Sequence, residues 1–212
     1  MKILIACEYS GRVRDAFLKK GHDAMSCDLL PTDSPGPHYQ GDVFDVIDDG
    51  WDMMIAHPPC TYLAVSGNRS FLNSPKRWKQ RLDAMLFVHA LLNADIERIC
   101  IENPQGVIST HIRQPDQYIQ PYEYGHPESK KTGLWLKNLP LLLPTNPVKP
   151  LWIKTADGKR HSPTHARIKD AKIRSLTYLG IAEAMADQWG NAGEYVFPVV
   201  PERQPAQGKL FA

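Results

Sequence analysis

Apolar residues in the first half of the chain follow two alternating patterns, short continuous runs and helix-spaced repeats. The continuous runs are typical of strands buried on both faces, and they are KILIACE, DAMSCDLL, WDMMIAH and ERICIEN. Between the first two runs, Val13, Ala16 and Phe17 share one helical face of RVRDAFLKKG. Strand–helix–strand repetition of this kind predicts an α/β fold, a Rossmann-like and mostly parallel sheet with helices on both faces.

A second helix is predicted over the segment SPKRWKQRLDAMLFVHALLNAD, with Ser74 as its N-cap and Pro75 in its first turn. Its apolar residues recur at helical spacing and are expected to pack inward; they include Trp78, Leu82, Met85, Leu86 and Leu92. The preceding segment PTDSPGPHYQGD is rich in Pro, Gly and Asp and is expected to be a loop.

The second half of the chain is less regular. Two short strands joined by a polar turn are expected within YIQPYEYGHPESKKTGLWLKNLPLLLPTN. Farther on, TYLGIAEAMADQWG predicts an amphipathic helix with Ile181, Met185 and Trp189 facing inward. These elements are expected to complete the same domain as the first half.

Length and composition fit a single globular domain. The 212 residues are 42% hydrophobic and 23% charged, which is ordinary for such proteins. We expect one domain over residues 1–192, with a short basic insert at about 137–173, and a flexible tail over 193–212. No apolar run approaches the ~20 residues of a membrane span, and the start resembles a first strand and not a signal peptide. A cytoplasmic location is therefore expected.

Positive charge is concentrated in one segment. The chain carries a net charge of only +2, but Lys149 to Arg174 hold eight lysines and arginines against two aspartates, a local charge of +6. A single basic segment on a nearly neutral protein indicates a surface that faces a polyanion. A solvated loop is the alternative interpretation.

Cys60 differs from the other three cysteines. Cys7, Cys27 and Cys100 lie in apparent strand cores and are expected to be small buried hydrophobes, whereas Cys60 follows a strand and two prolines. No CxxC pair is present, so neither a zinc ribbon nor a disulfide framework is predicted. The HSPTH segment has metal-like spacing, but without a third ligand no metal site is expected.

Polar residues close each of the predicted strands. In an open parallel sheet, ligands bind beyond the carboxyl ends of the strands. These strand-ending residues are therefore expected to converge on one edge and to form a site together; they are Glu8, Asp28, His57 with Cys60, and Glu102 with Asn103.

The order of motifs resembles that of the cytosine carbon-5 DNA methyltransferases, which use S-adenosylmethionine. IACEYSGRVRDAF resembles the family's Gly-rich first motif, GDV its Gly-Asp motif, HPPC its Pro-Cys motif and IENP its Glu-Asn motif. YGHPESKKTGLWL resembles a later Tyr-Gly-Pro strand, and QWGN the last Gly-Asn motif. The same order, with HPPCTYL, is similar to small phage and prophage members that lack a full target-recognition domain.

The resemblance implies a catalytic set and a cofactor set. Cys60 would be the nucleophile, Glu102 would hold or protonate ring nitrogen 3, and Asn103 would orient the loop. S-adenosylmethionine would be the cofactor, with Asp28 at its ribose and Asp42 at its adenine. The cofactor-binding residues implied in full are Glu8, Ser10, Gly11, Asp28, Asp42, Pro59 and Asn191.

The chemistry explains why these residue types are needed. Carbon 5 of cytosine attacks a methyl group only after a thiolate has added to carbon 6, and cysteine supplies the most nucleophilic side chain for that addition. Glu102 suits its role best if burial raises its pKa. His57, if protonated, could favour the Cys60 thiolate; as a strand-end histidine it needs no such role.

The chain departs from the family pattern where substrate is recognised. Glu128, Lys130 and Thr132 stand where the family has Gln and two Arg, and fewer than forty residues replace the recognition domain. We therefore expect methylation of DNA with little sequence specificity. The same chemistry on RNA or a free pyrimidine nucleotide, and a non-catalytic protein that binds nucleic acid or cofactor, remain open alternatives.

A nucleic-acid substrate would have to present its base flipped out or already single-stranded. The basic segment and the loop SGNRSFLNSPKRWKQR are expected to neutralise phosphates. The substrate-binding residues expected from these two sources and from the Tyr-Gly-Pro strand are Ser66, Arg69, Lys130, Lys131 and Thr132.

The chain ends in QGKLF. A Gln-x-x-Leu-Phe pattern on a flexible tail resembles the short peptides that dock into the bacterial replication sliding clamp. Gln207 would hydrogen-bond there, and Leu210 and Phe211 would fill an apolar pocket.

Overall fold

A computed structural model of the protein describes residues 1–155 and 158–191. Its strands are β1 Lys2–Ala6, β2 Asp23–Asp28, β3 His38–Gln40, β4 Met53–Ala56, β5 Arg98–Pro104, β6 Gln117–Ile119, β7 Thr132–Lys137, β8 Ile153–Lys154 and β9 Arg160–His161. Its α-helices are α1 Arg12–Lys19, α2 Pro75–Leu92, α3 Ile108–His111, α4 Pro163–Arg167, α5 Ala171–Ser175 and α6 Leu179–Gly190. The predicted tail residues Gln207, Leu210 and Phe211 lie outside the described residues.

Seven strands form one sheet in the order β3-β2-β1-β4-β5-β7-β6. The first five are mutually parallel, and β7 runs antiparallel to both β5 and β6. The strand order reverses direction between β1 and β4, which is where open α/β sheets bind ligands beyond the strand ends. This topology confirms the predicted fold class. The short edge strand β3 corrects the prediction of an uninterrupted loop there.

Both faces of the central strands are buried, which explains their continuous apolar runs. Ile3 and Ile5 of β1 face the core that includes α1 and α6, whereas Leu4 faces the core under α2. The inward residues predicted for α6 are buried as expected; they are Ile181, Met185 and Trp189. No helix in the described ranges is long and apolar enough to cross a membrane.

Helix α2 departs from the prediction. Three residues assigned to its inward face are instead exposed, with 51% of Trp78, 54% of Leu82 and 69% of Leu86 accessible to solvent. The helix buries Val88 and Leu91 near its C-terminal end, while its N-terminal half extends past the sheet over the loop that follows Cys60. Periodicity located a stripe of apolar residues but not which side of the helix the sheet covers.

Segments of the second half are tied to the sheet by specific polar contacts. The predicted strand pair is present as β6 and β7. Glu128 is buried, and its carboxylate accepts hydrogen bonds from the backbone N–H (3.0 Å) and the hydroxyl (2.8 Å) of Thr164 at the start of α4. The glutamate that replaces the family's glutamine therefore anchors the basic segment.

Arg14 is fully buried and braces the loop between β2 and β3. Its guanidinium donates to Ser26 Oγ (3.1 Å) and to the carbonyl of Ser34 (2.9 Å), and it pairs with Asp15 at 2.8 Å. Gly11 has a positive φ of 74°, and a Cβ there would collide with the Arg14 guanidinium. The single glycine of the first motif is thus needed for the start of α1 and for seating Arg14.

Candidate functional site

Two prolines carry the chain from the end of β4 into a short turn, Cys60–Tyr62. The His57 N–H still pairs with the carbonyl of Ala6 at 2.9 Å, so regular strand pairing stops at the prolines, which lack a donor. Beyond the turn, the Leu63 carbonyl accepts a hydrogen bond from the N–H of Val107 at 2.9 Å. Cys60 is therefore fixed at the carboxyl edge of the sheet and is partly exposed.

Two side-chain hydrogen bonds join the ends of β4 and β5. Asn103 is buried and donates from Nδ2 to the carbonyl of Pro58 at 2.7 Å, which holds the segment leading to Cys60. His57 Nδ1 lies 3.0 Å from Glu102 Oε2. The structure thus brings Cys60, Glu102 and Asn103 together, although they lie about forty positions apart in sequence.

Glu102 corrects one sequence expectation. Burial raises its pKa, as expected, but the hydrogen bond and charge of His57, together with Lys130 and Thr132, outweigh burial and hold the pKa below its usual range. Glu102 is therefore a carboxylate at neutral pH. His57 serves Glu102 and not the cysteine, and its Nε2 is buried with no hydrogen-bond partner among the described residues.

Cys60 experiences opposing electrostatic influences. Burial and the nearby Glu102 carboxylate raise the pKa of its thiol, while Lys130 and Arg174 lower it, with a net rise. In the free protein Cys60 is thus held mainly as the thiol at neutral pH. Pairing of the Glu102 charge with a bound ligand would favour the thiolate, because it removes one cause of the raised pKa.

Residues of the Tyr-Gly-Pro segment divide between two environments. Lys130 lies near Glu102, donates from Nζ to the carbonyl of Arg174 (3.1 Å) and lowers the pKa of both site residues. Thr132 faces the same side. Lys131 lies instead over the ring of Tyr118 at 4.1 Å, because successive residues of an extended chain face opposite sides.

A cavity of about 420 Å³ lies beside the cysteine turn, within the size range of small-molecule sites. Pro59 and Tyr62 form one wall, which places the cavity next to Cys60. The remaining walls come from the ends of β1 and β2, the segment after β3, and α2; they include Cys7, Asp28, Asp42, Asp83 and Phe87. Three of the predicted cofactor residues, Asp28, Asp42 and Pro59, therefore share one cavity.

The first-motif residues Glu8, Ser10 and Gly11 do not line this cavity. The buried Glu8 carboxylate accepts hydrogen bonds from the N–H of Val13 (2.8 Å) and from Ser10 Oγ (3.1 Å), so it caps the start of α1. Ser10 faces a separate crevice between α1 and α6.

Cys7 is the first-loop residue that reaches the cavity. It lies directly after β1 with a positive φ of 58°, a conformation that is uncommon for a residue other than glycine. The apolar run in the sequence made Cys7 resemble a core residue, and no sequence signal indicates the positive φ that directs it to the cavity.

Asn191 is also corrected by the structure. It lies at the C-terminus of α6, where its Nδ2 donates to the carbonyl of Asp187 at 3.1 Å. The neighbouring Gly190 packs against His22, which precedes β2 and so lies at the amino edge of the sheet. Asn191 is therefore at the edge opposite the cavity, and its role as a cofactor contact is abandoned.

Ser66 and Arg69 lie on the exposed helical turn Val65–Phe71 that follows the cysteine turn. The structure therefore keeps them on the same side of the sheet as Cys60 but gives them no contact with it. His161 and His165 stack at 4.8 Å. In residues 1–155 and 158–191, no group of three or more His, Cys, Asp or Glu side chains is arranged to hold a metal ion.

Comparison with known proteins adds only distant matches. No family model and no curated protein matches the sequence. The chain is similar to a solved structure described as a candidate DNA modification methyltransferase encoded within a prophage of E. coli (TM-score 0.46, 16% identity, 70% of this chain and 53% of that one). It is also similar to the Entamoeba histolytica methyltransferase EhMeth (TM-score 0.46, 14% identity, 73% and 58%). The chain spans little more than half the length of these structures, and the likeness concerns the fold alone.

Proposed function

We propose that this protein methylates carbon 5 of cytosine in DNA, using S-adenosylmethionine and a covalent Cys60 adduct. One observation carries the proposal. Cys60, Glu102 and Asn103 converge at the carboxyl edge of the sheet, and Pro59 and Tyr62 on either side of Cys60 line a cavity that also contains Asp28 and Asp42. These are the positions that the motif resemblance assigned to the nucleophile, its partners and the cofactor.

The cavity fits S-adenosylmethionine in size and chemistry. Phe87 and its apolar neighbours offer a wall for the adenine ring. The carboxylates of Asp28, Asp42 and Asp83 suit a cationic ligand with ribose hydroxyls and an ammonium group. When bound, the cofactor would supply an electrophilic methyl group; Pro59 and Tyr62, which line the cavity, flank Cys60 in the chain.

Cys60 begins the reaction on the base. Its thiolate adds to carbon 6 of cytosine, forming the S–C6 bond and moving the electron pair of the 5,6 double bond to carbon 5. Carbon 5 would use this electron pair to bond to the methyl group, while the carbon–sulfur bond that held the methyl group breaks and its electron pair stays on sulfur. Loss of the carbon 5 proton to solvent then returns an electron pair to the ring, expels the thiolate from carbon 6 and restores the double bond.

Glu102 and its neighbours can stabilise the charge that forms on the ring during the reaction. Its carboxylate can accept a hydrogen bond from the exocyclic amine and from a protonated ring nitrogen 3, with His57 fixing its orientation through the 3.0 Å hydrogen bond. Asn103 fixes the Pro58 carbonyl and hence the position of Cys60. Lys130 places a cation beside both groups.

Asp28 provides a test of cofactor binding. We expect Asp28→Asn to raise the Kd for S-adenosylmethionine about ten-fold, because a charged hydrogen bond to ribose is replaced by a weaker neutral one. Isothermal titration calorimetry measures this without turnover. Asp48→Asn is the matched control, since Asp48 is exposed and lies outside the cavity. Equal affinities for the wild type and Asp28→Asn would contradict the assignment.

Methyl transfer from tritiated S-adenosylmethionine tests the function directly. The wild-type protein is incubated with single-stranded DNA, duplex DNA, RNA and dCMP, and the product base is identified by mass spectrometry. We expect 5-methylcytosine in DNA. Transfer confined to RNA or dCMP would show that DNA is not the substrate. Methylation at an atom other than carbon 5 would exclude the covalent Cys60 mechanism. The absence of transfer to any substrate would favour a binding protein without methyltransferase activity.

A further inference from the structure

A group of three aromatic and two arginine side chains lies on the surface next to the cysteine turn; we call it the arginine–aromatic platform, and it comprises Tyr62, Phe71, Arg77, Trp78 and Arg81. The Phe71 and Trp78 rings meet edge to face with centroids 5.7 Å apart. The Arg81 guanidinium lies 3.6 Å from the Phe71 centroid, and Arg77 lies 5.2 Å from Tyr62. The group is therefore packed as a unit.

The platform carries positive charge without a matching anion. Neither Arg77 nor Arg81 forms an ion pair with any carboxylate in the described part of the chain. Arg77 Nε is buried and has no hydrogen-bond partner there. The nearest acidic residue on the helix, Asp83, pairs with Lys79 at 2.8 Å. Burial lowers the pKa of Arg81, and the neighbouring Arg77 cation lowers it further.

The platform also presents exposed apolar surface. Trp78 leaves 51% of its side chain accessible, and the adjacent Leu72 leaves 75%. A flat ring beside the Arg77 guanidinium, which has no carboxylate partner in the described residues, matches a ligand with a flat base and a phosphate. A duplex keeps its bases stacked on each other, so an exposed indole ring suits a strand whose bases are unpaired.

A hydrogen bond within the platform holds the turn that contains Cys60. Arg81 Nε donates to the carbonyl of Tyr62 at 2.8 Å, and Tyr62 closes the turn that begins with Cys60. Arg81 also donates to Asn68 Oδ1 at 2.8 Å, which fixes the helical turn that bears Arg69. A strand bound on the platform would pass directly beside Cys60.

We propose that the platform binds single-stranded nucleic acid, with one base stacked on Trp78 and a neighbouring phosphate on Arg77. The inference rests on the proposed function and sharpens its substrate class, because it selects an unpaired strand over a duplex. It also accounts for the large exposed apolar residues in the N-terminal half of α2, Trp78 and Leu82.

Fluorescence anisotropy tests the platform without cofactor or turnover. The probe is a labelled oligodeoxynucleotide of about 15 residues, a length that spans a typical single-strand site, used alone and annealed to its complement. We expect the single strand to bind more tightly than the duplex. Trp78→Ala should raise the single-strand Kd about ten-fold, equivalent to about 1.4 kcal/mol, and Trp78→Phe should restore most of the affinity.

Arg77→Gln should also weaken binding and should reduce the slope of log K against log salt concentration by about 0.7, the value for one phosphate of a single strand. Leu86→Ala is the matched control, because Leu86 is an exposed apolar residue of the same helix two turns away. It should leave the Kd unchanged.

Tighter binding of the duplex, or equal effects of Trp78→Ala and Leu86→Ala, would overturn the proposal. If Trp78→Ala unfolds, Trp78→Leu replaces it, because leucine keeps an apolar contact with Phe71 but removes the ring on which a base would stack. The proposal then requires Trp78→Leu to raise the single-strand Kd. Because binding is measured without methyl transfer, single-strand binding by a protein that methylates nothing would uphold the platform and remove the proposed function.

Discussion

Cys60→Ala is expected to reduce methyl transfer to DNA by at least about 10⁴-fold, because carbon 5 of cytosine then has no thiolate to activate it. The affinity for S-adenosylmethionine should stay within about two-fold of the wild type, a small change beside the ten-fold that each 1.4 kcal/mol produces. Cys60 is partly exposed and is not among the buried residues of the hydrophobic core. The loss is therefore expected in the chemical step and not in folding.

An oligonucleotide that contains 5-fluorocytosine provides a second measurement. Fluorine cannot leave carbon 5 as a proton does, so the ring cannot expel the thiolate and the adduct persists. Intact-protein mass spectrometry should detect wild-type protein joined to the oligonucleotide and no such species for Cys60→Ala. Cys100→Ala is the matched control, because Cys100 is fully buried in the body of β5 and is not accessible to an oligonucleotide. Methyl transfer by Cys60→Ala would exclude the covalent mechanism.

The sequence predicted the central strands β1, β2, β4 and β5 because both faces of each are largely buried, and it predicted α1 and α6 because each buries one face. Burial on both faces gives a strand a continuous apolar run, and burial on one face gives a helix apolar residues at helical spacing. The convergence of Cys60 with Glu102 followed from topology alone, since the carboxyl ends of β4 and β5 are neighbours in a parallel sheet.

The sequence did not predict specific contacts between residues that lie far apart in the chain. The hydrogen bond between His57 and Glu102 depends on the register in which the ends of β4 and β5 pair, and a single sequence does not specify that register locally. Which residues of α2 are exposed depends on how far the helix extends past the edge of the sheet. The position of Asn191 relative to the site depends on which end of α6 lies nearest to it. Short motifs such as QWGN carry no such three-dimensional information.

Glu102→Gln is expected to have opposite effects on two reactions of Cys60. Methyl transfer should fall about 10²- to 10⁴-fold, because the neutral amide oxygen accepts only a weaker hydrogen bond from a protonated ring nitrogen and does not neutralise its charge. Alkylation of Cys60 by iodoacetamide should become faster, because the carboxylate that raises the thiol pKa is gone. Each unit of lowered pKa gives ten-fold more thiolate, and its reduced nucleophilicity leaves a net gain of about three-fold near neutral pH.

Opposite changes would identify Glu102 as the group that links base binding to thiol activation. In the free protein its charge adds to burial in raising the pKa of the Cys60 thiol; a bound cytosine that pairs with the carboxylate would remove that contribution, so more thiolate would form when the base is present. Glu97→Gln is the matched control, since Glu97 precedes the opposite end of β5 and is largely exposed; it should change neither rate. If Glu102→Gln slowed both reactions together, the carboxylate would be supporting the cysteine turn structurally, and the coupling between base and thiol would be rejected.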